Sequence, residues 1–374
     1  MEGVDLSPNQ AAHFAQLFGG CYSGRRVLVT GHTGFKGSWL AMWLEALGAK
    51  VFGLALPCED GPNHSRLLGL GHAQALIDLR DATAVRAALR SFAPQVVIHL
   101  AAQPLVRRGY AQPVQTFDIN VMGLVNLLEA VRATPSVRAV VNATTDKCYR
   151  NSGSALREND PLGGHDPYSA SKACAELVSA SYRSSFLSQD DGRGHAVGLA
   201  TARAGNVIGG GDWGEDRLIP DLVRSAVAGQ RTPIRHPQAT RPWQHVLEPL
   251  AGYLQLGQRL LTDPAGASEA WNFGPGAQGE ISVAEVAAQL RACWSAIDIE
   301  ADANPHPHEA ALLHLDCRKA NEQLAWRPVW QASTMLKRTA HWYRRHHEAG
   351  EVHSARDLQC YVADARQLGL AWAA

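Results

Sequence analysis

The sequence predicts an α/β fold, a doubly wound parallel sheet with a smaller C-terminal domain. Three observations carry this. The run RRVLVT leads into the glycine turn GHTGFKG and an apolar stripe at helical spacing: Trp39, Leu40, Trp43, Leu44 and Leu47. A second strand over 50–56 completes a strand–turn–helix–strand unit of the Rossmann type. Residues 96–100 and 196–203 are nearly unbroken apolar runs, the pattern of parallel strands buried on both faces. Beyond Trp213 the segments shorten and prolines become frequent, which marks a change of domain.

Length and composition set the outer bounds. The 374 residues are 46% hydrophobic, enough for a sizeable core in one large or two intimate domains. Lys+Arg 35 balances Asp+Glu 35, so no basic stripe points to nucleic acid or an anionic membrane surface. The seven cysteines are scattered, odd in number and form no CxxC pair. Buried thiols in a reducing compartment follow, with no disulfide framework and no metal site. No signal pattern opens the chain and no apolar run reaches membrane-span length, so a cytoplasmic protein is expected.

Residues 1–24 read as a helical lead-in. Gly31, Gly34 and Gly37 then fall three apart, where backbone N–H groups and a helix N-terminus can meet a pyrophosphate. The second strand ends in Leu54-Ala55-Leu56-Pro57, with no acidic residue for a ribose and no arginine for a 2′-phosphate. Asp78, at a strand end, faces an adenine amine or sits in a solvated loop; Asp81 caps a helix over 82–92. After the strand at 96–100, Ala101-Ala102 lets a cofactor lie close to the backbone. A helix over 114–131 follows. Its Asn120, a polar residue in an apolar stripe, is either a structural bracket or a site positioner.

The segment 144–172 holds the chemistry. Tyr168 and Lys172 sit four apart in YSASK, on one face of a helix. An ammonium beside a phenol favours the phenolate, so the tyrosine becomes a base for an alcohol proton. Thr145-Asp146-Lys147 closes the apolar run 137–143, bringing a hydroxyl, an acid and an amine to a strand end. To serve as acid and base, Asp146 must hold a proton and Lys147 must lack one; otherwise Lys147 stabilises an enolate. Glu158 and Asp160 read as surface turn residues.

The strand at 196–203 runs into Asn206 and Gly209-Gly210-Gly211. Arg231, Arg235 and Arg241 suit either a diphosphate or surface pairs. His245 opens a helix, WNFGPG reads as a last strand and turn, Ser282 caps a helix, and 332–349 is a long helix. His306, His308, Glu309 and His314 read as a solvated loop rather than a metal site.

TGHTGFKG, HLAAQ, TTDKCY, YSASK and RAGNVIGGGDW, in this order, resemble the extended short-chain dehydrogenase/reductase superfamily. HTGFKGSW, TDK in place of TDE, ENDPLGGHDPYSASK and RPWQHVLEPL are similar to its CDP-glucose 4,6-dehydratase subfamily. The resemblance covers roughly residues 25–330. It implies a Rossmann-type dinucleotide-binding domain, 1–205, to which the chain returns at about 240–275, and a smaller substrate-binding domain, 206–374, for a nucleotide sugar. It also implies a homodimer through a four-helix bundle made by the helices at 114–131 and 168–187. The cofactor is then a tightly held, recycled NAD, contacted by Gly31, Thr33, Gly34, Phe35, Lys36, Gly37, Asp78, Leu79, Leu100, Ala101, Ala102, Tyr168 and Lys172. Thr145, Asp146, Lys147, Tyr168 and Lys172 are the implied catalytic set. Gln103, Asn120, Asn206, Arg217, Pro220, Arg241 and His245 are the implied substrate contacts, with Trp213 and Asp216 at the mouth. The implied reaction is C4 oxidation of CDP-glucose, loss of water across C5 and C6, and hydride return to C6. The departure from TDE leaves the C5 base open between Lys147 and another group. A dTDP- or GDP-sugar dehydratase or a 4-epimerase remains the alternative.

Overall fold

The computed structural model describes residues 7–151, 153–188, 195–234, 236–276, 279–302 and 314–374. Its centre is a seven-stranded parallel sheet. The strands are β1 (Arg26–Thr30), β2 (Lys50–Ala55), β3 (Ala73–Leu76), β4 (Val96–His99), β5 (Ala139–Ala143), β6 (Gly198–Ala204) and β7 (Ala270–Phe273). Their order is β7-β6-β5-β4-β1-β2-β3, so the chain winds outward from β1 in both directions. Cofactor and substrate crevices form where such a sheet reverses, beyond the carboxyl ends of the central strands. β1, β4, β5 and β6 are almost wholly buried, as their apolar runs require.

Helices cover both faces. Those used below are α1 (Phe35–Ala46), α2 (Ala82–Phe92), α3 (Gly123–Arg132), α4 (Pro167–Tyr182), α5 (Leu218–Val227), α6 (Leu247–Thr262), α7 (Val283–Cys293), α8 (Ala332–Ala349) and α9 (Ser354–Gln367). Asp81, Asp166 and Ser282 cap α2, α4 and α7, and Ser282 forms a capping box with Glu285. The helix expected over 114–131 is interrupted. A short helix, Pro113–Phe117, passes through one π turn, Asp118–Met122, before α3, and Asn120 lies in that turn.

Three main cores divide the packing among the described residues. The first lies between the sheet and α1 and α6. The second packs α2 and α3 on the other face through Leu89, Leu124 and Leu128. The third joins α5, α7 and α8 through Leu222, Leu290, Leu336 and Trp342. The chain returns to the sheet through α6 and β7, as expected. The C-terminal end departs from the sequence-based division. Leu358, Tyr361 and Trp372 pack in the first core, and the Trp372 ring stacks on Phe18 at 5.0 Å. The seven cysteines are all free. No described helix is long and apolar enough to cross a membrane.

Candidate active site

The glycine turn follows from close approach. Gly31 has φ +73°, and a Cβ there would lie 2.8 Å from the Ala101 backbone. At Gly37 it would lie 2.0 Å from the Gly31 carbonyl oxygen, so the turn folds onto the start of α1 only without a side chain. Gly34 caps α1 with no side-chain hydrogen bond, which leaves the first amides of a twelve-residue helix for a ligand. The turn is tied down around this opening. Thr33 Oγ1 donates to the Leu56 carbonyl (3.2 Å), and His32 lies over Gly53 and pairs with Gln74 (2.7 Å). Thr30 Oγ1 accepts from the Leu100 and Ala101 amides and bonds His99 Nδ1 at 2.7 Å. Burial and the Lys172 charge hold His99 near 3, so it is a neutral acceptor. A cradle without side chains at an uncapped helix end fits a dinucleotide pyrophosphate.

Tyr168 and Lys172 occupy the first turns of α4, both buried. At the end of β5, Thr145 donates to Asp146 Oδ1 (2.9 Å), and Lys147 Nζ lies 3.7 Å from the same oxygen. The Thr145 hydroxyl also pulls the Tyr168 phenol down against its burial. The strand end and the helix therefore meet at one point. Thr144, one residue earlier, turns the other way and donates to Glu176. Glu176 also accepts from Thr201 Oγ1 (2.7 Å) and Arg203 (2.8 Å) in a buried network behind Lys172.

The electrostatics differ from the expectation for the Tyr/Lys pair. Tyr168 is pushed up to about 12 by burial, and the largest opposing pull is the Thr145 hydrogen bond, followed by the Arg217 charge. Lys172 donates to the Ala143 carbonyl (3.2 Å), and burial lowers it to about 8 against the raising field of Glu176. Desolvation is the largest cause of both shifts. Lys36, second in α1, is lowered to about 7 by burial, then by the charges of Arg217 and Lys172. Its ammonium lies 5.9 Å over the Tyr253 ring.

The other expected residues separate into those that face this point and those that do not. Arg217 is held by Asp212 (2.9 Å), and its charge is felt by Lys36 and Tyr168. Asn206 follows Gly205, whose Cα stands against Asp146 Oδ2 and Pro242. Arg241 lies on the short strand Thr240–Pro242. Asn120 is a bracket: its amide bonds the Gln103 backbone and Ser171, which leaves no donor for a substrate. The Gln103 side chain donates to Thr116 and accepts from the Leu105 amide. His245 is buried beside Trp39 and Trp330, accepts from the Leu247 amide, and is held near 3 by burial. Leu79 points into the core against Gly123, and Pro220 is buried in the first turn of α5. Arg80 chelates Asp78, and Arg231 forms a surface pair with Asp298. Trp213 packs on Trp342, and Asp216 pairs with Arg107 (3.0 Å). Glu158 is a bracket rather than a turn charge, because its carboxylate takes the Asn272 amide of β7 (2.9 Å). Arg235, His306, His308 and Glu309 lie outside the described residues; His314 pairs with Glu280. No metal-ligating cluster occurs among the described residues.

Sequence reading missed Glu176, Arg203 and His32. Glu176 stands four residues after Lys172 in α4, a spacing that carried the signal.

A family model described as GDP-mannose 4,6 dehydratase matches residues 28–339. The CDP-glucose 4,6-dehydratase of Salmonella typhimurium is 48% identical over 328 residues, 86% of this chain and 91% of that protein. The crystal structure of a dTDP-glucose 4,6-dehydratase from Streptomyces venezuelae with NAD bound superposes with TM-score 0.71 at 27% identity. It covers 88% of this chain and 99% of that one. The Thermus thermophilus UDP-glucose 4-epimerase complex with NAD gives TM-score 0.72 at 27% identity, over 85% and 99% of the two chains.

Proposed function

Since the chain belongs to the GDP-mannose 4,6-dehydratase family, within the extended short-chain dehydrogenase/reductases, we propose that it converts CDP-D-glucose to CDP-4-keto-6-deoxy-D-glucose and water. One observation carries the reading: Thr145 joins Asp146 and Tyr168, so an elimination pair and a redox pair share one reaction centre. The relative that shares nearly half its residues with this chain supports CDP as the nucleotide.

The Gly31–Gly37 turn, the amides at the start of α1 and the Leu100–Ala102 backbone would hold NAD, which would supply hydride acceptance at C4 and hydride return at C6. The NAD-bound relatives and the side-chain-free cradle support that assignment. Tyr168 takes the C4 hydroxyl proton, with Thr145 holding the same hydroxyl. Burial holds the phenol near 12 even with the pull of Thr145 and Arg217, so it needs further help at neutral pH. Lys172, fixed to the Ala143 carbonyl, adds its charge while it is protonated.

The 4-ketone acidifies the C5 proton, which is why oxidation comes first. One group then takes that proton and Asp146 gives one to the departing C6 hydroxyl, so water leaves with no net redox change. Lys147, paired with Asp146, either accepts the C5 proton or stabilises the enolate. Arg217 and Arg241 are assigned to the diphosphate. Residues 1–205, with the return at about 240–275, form the cofactor-binding part in this reading, and the rest of 206–374 the nucleotide-sugar part, except the C-terminal end around Leu358 to Trp372, which packs in the first core.

The same reading includes a cytoplasmic homodimer. Val114, Met122 and Leu177 are 81%, 49% and 59% exposed along the helices that the family pairs into a four-helix bundle. An apolar face of this kind needs a cover.

The test is incubation with CDP-glucose and NAD+, followed by mass spectrometry of the sugar nucleotide. Loss of one water without net NADH is expected. Epimerisation, or no change in any nucleotide sugar, would remove the dehydratase reading.

A further inference from the structure

A cleft of about 490 Å³ opens between the end of α7, the middle of α8 and the start of α9. Six of its seven lining residues are cationic or become so on protonation. Lys337, Arg338, His341 and Arg344 come from α8, and His353 and Arg356 from the start of α9. The seventh is Cys293; no carboxylate lines the cleft. Lys337, His341 and Arg344 are spaced i, i+4, i+7, so one helix face presents all three. The whole chain has zero formal net charge, so this density is local.

Three carboxylates reach the wall from behind. Asp357 lies 3.5 Å from Arg338, Glu348 lies 2.9 Å from Arg344, and Glu351 lies 2.6 Å from His353. Burial pushes Asp357 up to about 7, so near neutral pH it offsets Arg338 incompletely. Lys337 and Arg356 have no ion-pair partner among the described residues. α9 starts here without a side-chain cap, and the positive end of its dipole adds to the same field. His341 reports that field: burial, then His353, Arg345, Arg356 and Arg338, lower it from its ordinary value.

We propose that this cleft binds a small polyphosphate anion, such as the diphosphate of a nucleotide, at a site separate from the reaction centre. Four fixed cations with three partial counter-charges match two or more phosphates better than one. The confined basic surface favours a small molecule over a nucleic acid, which needs a basic stripe. Binding also has a route to the reaction centre. Tyr343 of α8 donates its hydroxyl to the Asp212 carbonyl (2.5 Å), and Asp212 holds Arg217.

The test uses inorganic pyrophosphate as probe and titration calorimetry on the full chain. Wild type and Arg217→Ala are expected to share the cleft class of site, whatever reaction-centre binding Arg217→Ala removes. The exposed double change Lys337→Glu/Arg356→Glu weakens it at least about tenfold, or about 1.4 kcal/mol. His341 is expected to titrate higher with pyrophosphate present, read by NMR. Should the double charge reversal fail to fold, Lys337→Gln/Arg356→Gln gives the same reading more weakly. Absence of binding to wild type, equal affinity in the cleft variant, or loss in Arg217→Ala alone would overturn the site. None of these outcomes depends on dehydratase turnover.

Discussion

Lys147 Nζ stands 3.7 Å from Asp146 Oδ1, while Thr145 donates to that same oxygen at 2.9 Å. The acid proposed for the elimination step is thus held between the Thr145 hydroxyl and the Lys147 side chain. Two variants divide the labour. Asp146→Asn keeps C4 oxidation, so reduced cofactor accumulates at 340 nm while water loss falls by about 10²–10⁴. In D2O this variant still exchanges the C5 proton if Lys147 is the base. Lys147→Met loses that exchange. If Lys147→Met exchanges C5 at the wild-type rate, another group removes the proton.

Lys172 ties activity to pH. Its folded value, about 8, lies below the ordinary lysine value, so the unfolded chain binds more protons between the two. This group therefore destabilises the fold below about pH 8, and the cost is relieved as pH rises toward about 10.4. The Lys172 charge that the proposed mechanism uses is lost as pH rises through the lower value. Glu176→Gln removes the field that raises Lys172, so the alkaline limb of the pH–rate profile moves to lower pH. Breaking the buried Glu176–Arg203 pair also costs about 3–5 kcal/mol, read as a lower Tm. An unmoved alkaline limb would assign Glu176 to structure alone.

Gly37→Ala tests the cradle. The new methyl would lie 2.0 Å from the Gly31 carbonyl oxygen, which is backbone and cannot swing away. NAD affinity is expected to fall at least about tenfold by fluorescence titration. Wild-type affinity would mean that the turn opens freely.

Leu177→Arg tests the apolar helix face, because it puts a charge at a position 59% exposed in the single chain. Light scattering is expected to give half the wild-type mass with an unchanged circular dichroism spectrum. An unchanged mass would place the association surface elsewhere.

Much of this was legible in the sequence because it depends on spacing. The three glycines, the Tyr168–Lys172 interval, the 82–92 helix and the 332–349 helix follow from local geometry, and the structure has them at those positions. The lead-in helix and the cap at Ser282 follow likewise from local chemistry. Depth and partners were not legible. Spacing put Lys172 beside Tyr168, but the enclosure that lifts one and lowers the other comes from β5, α4 and α6 packing together. His32 gave no hint that it would cover Gly53, because the two meet only once β1 and β2 pair. Asn120 and Gln103 were polar residues in apolar surroundings, and sequence does not say whether such a group faces a ligand or another backbone. The α9 tail shows no motif, and its role rests on rings that meet Phe18 and Trp43 from more than 300 residues away.

Thr144 and Thr145 leave the end of β5 in opposite directions, one into the Glu176–Arg203 network and the other into the reaction centre. The anchoring of the strand is thereby insulated from whatever stands at 146 and 147. Replacing those two side chains therefore leaves the Thr144–Glu176 contact that anchors the strand in place. That separation gives the scaffold a replaceable module two residues long.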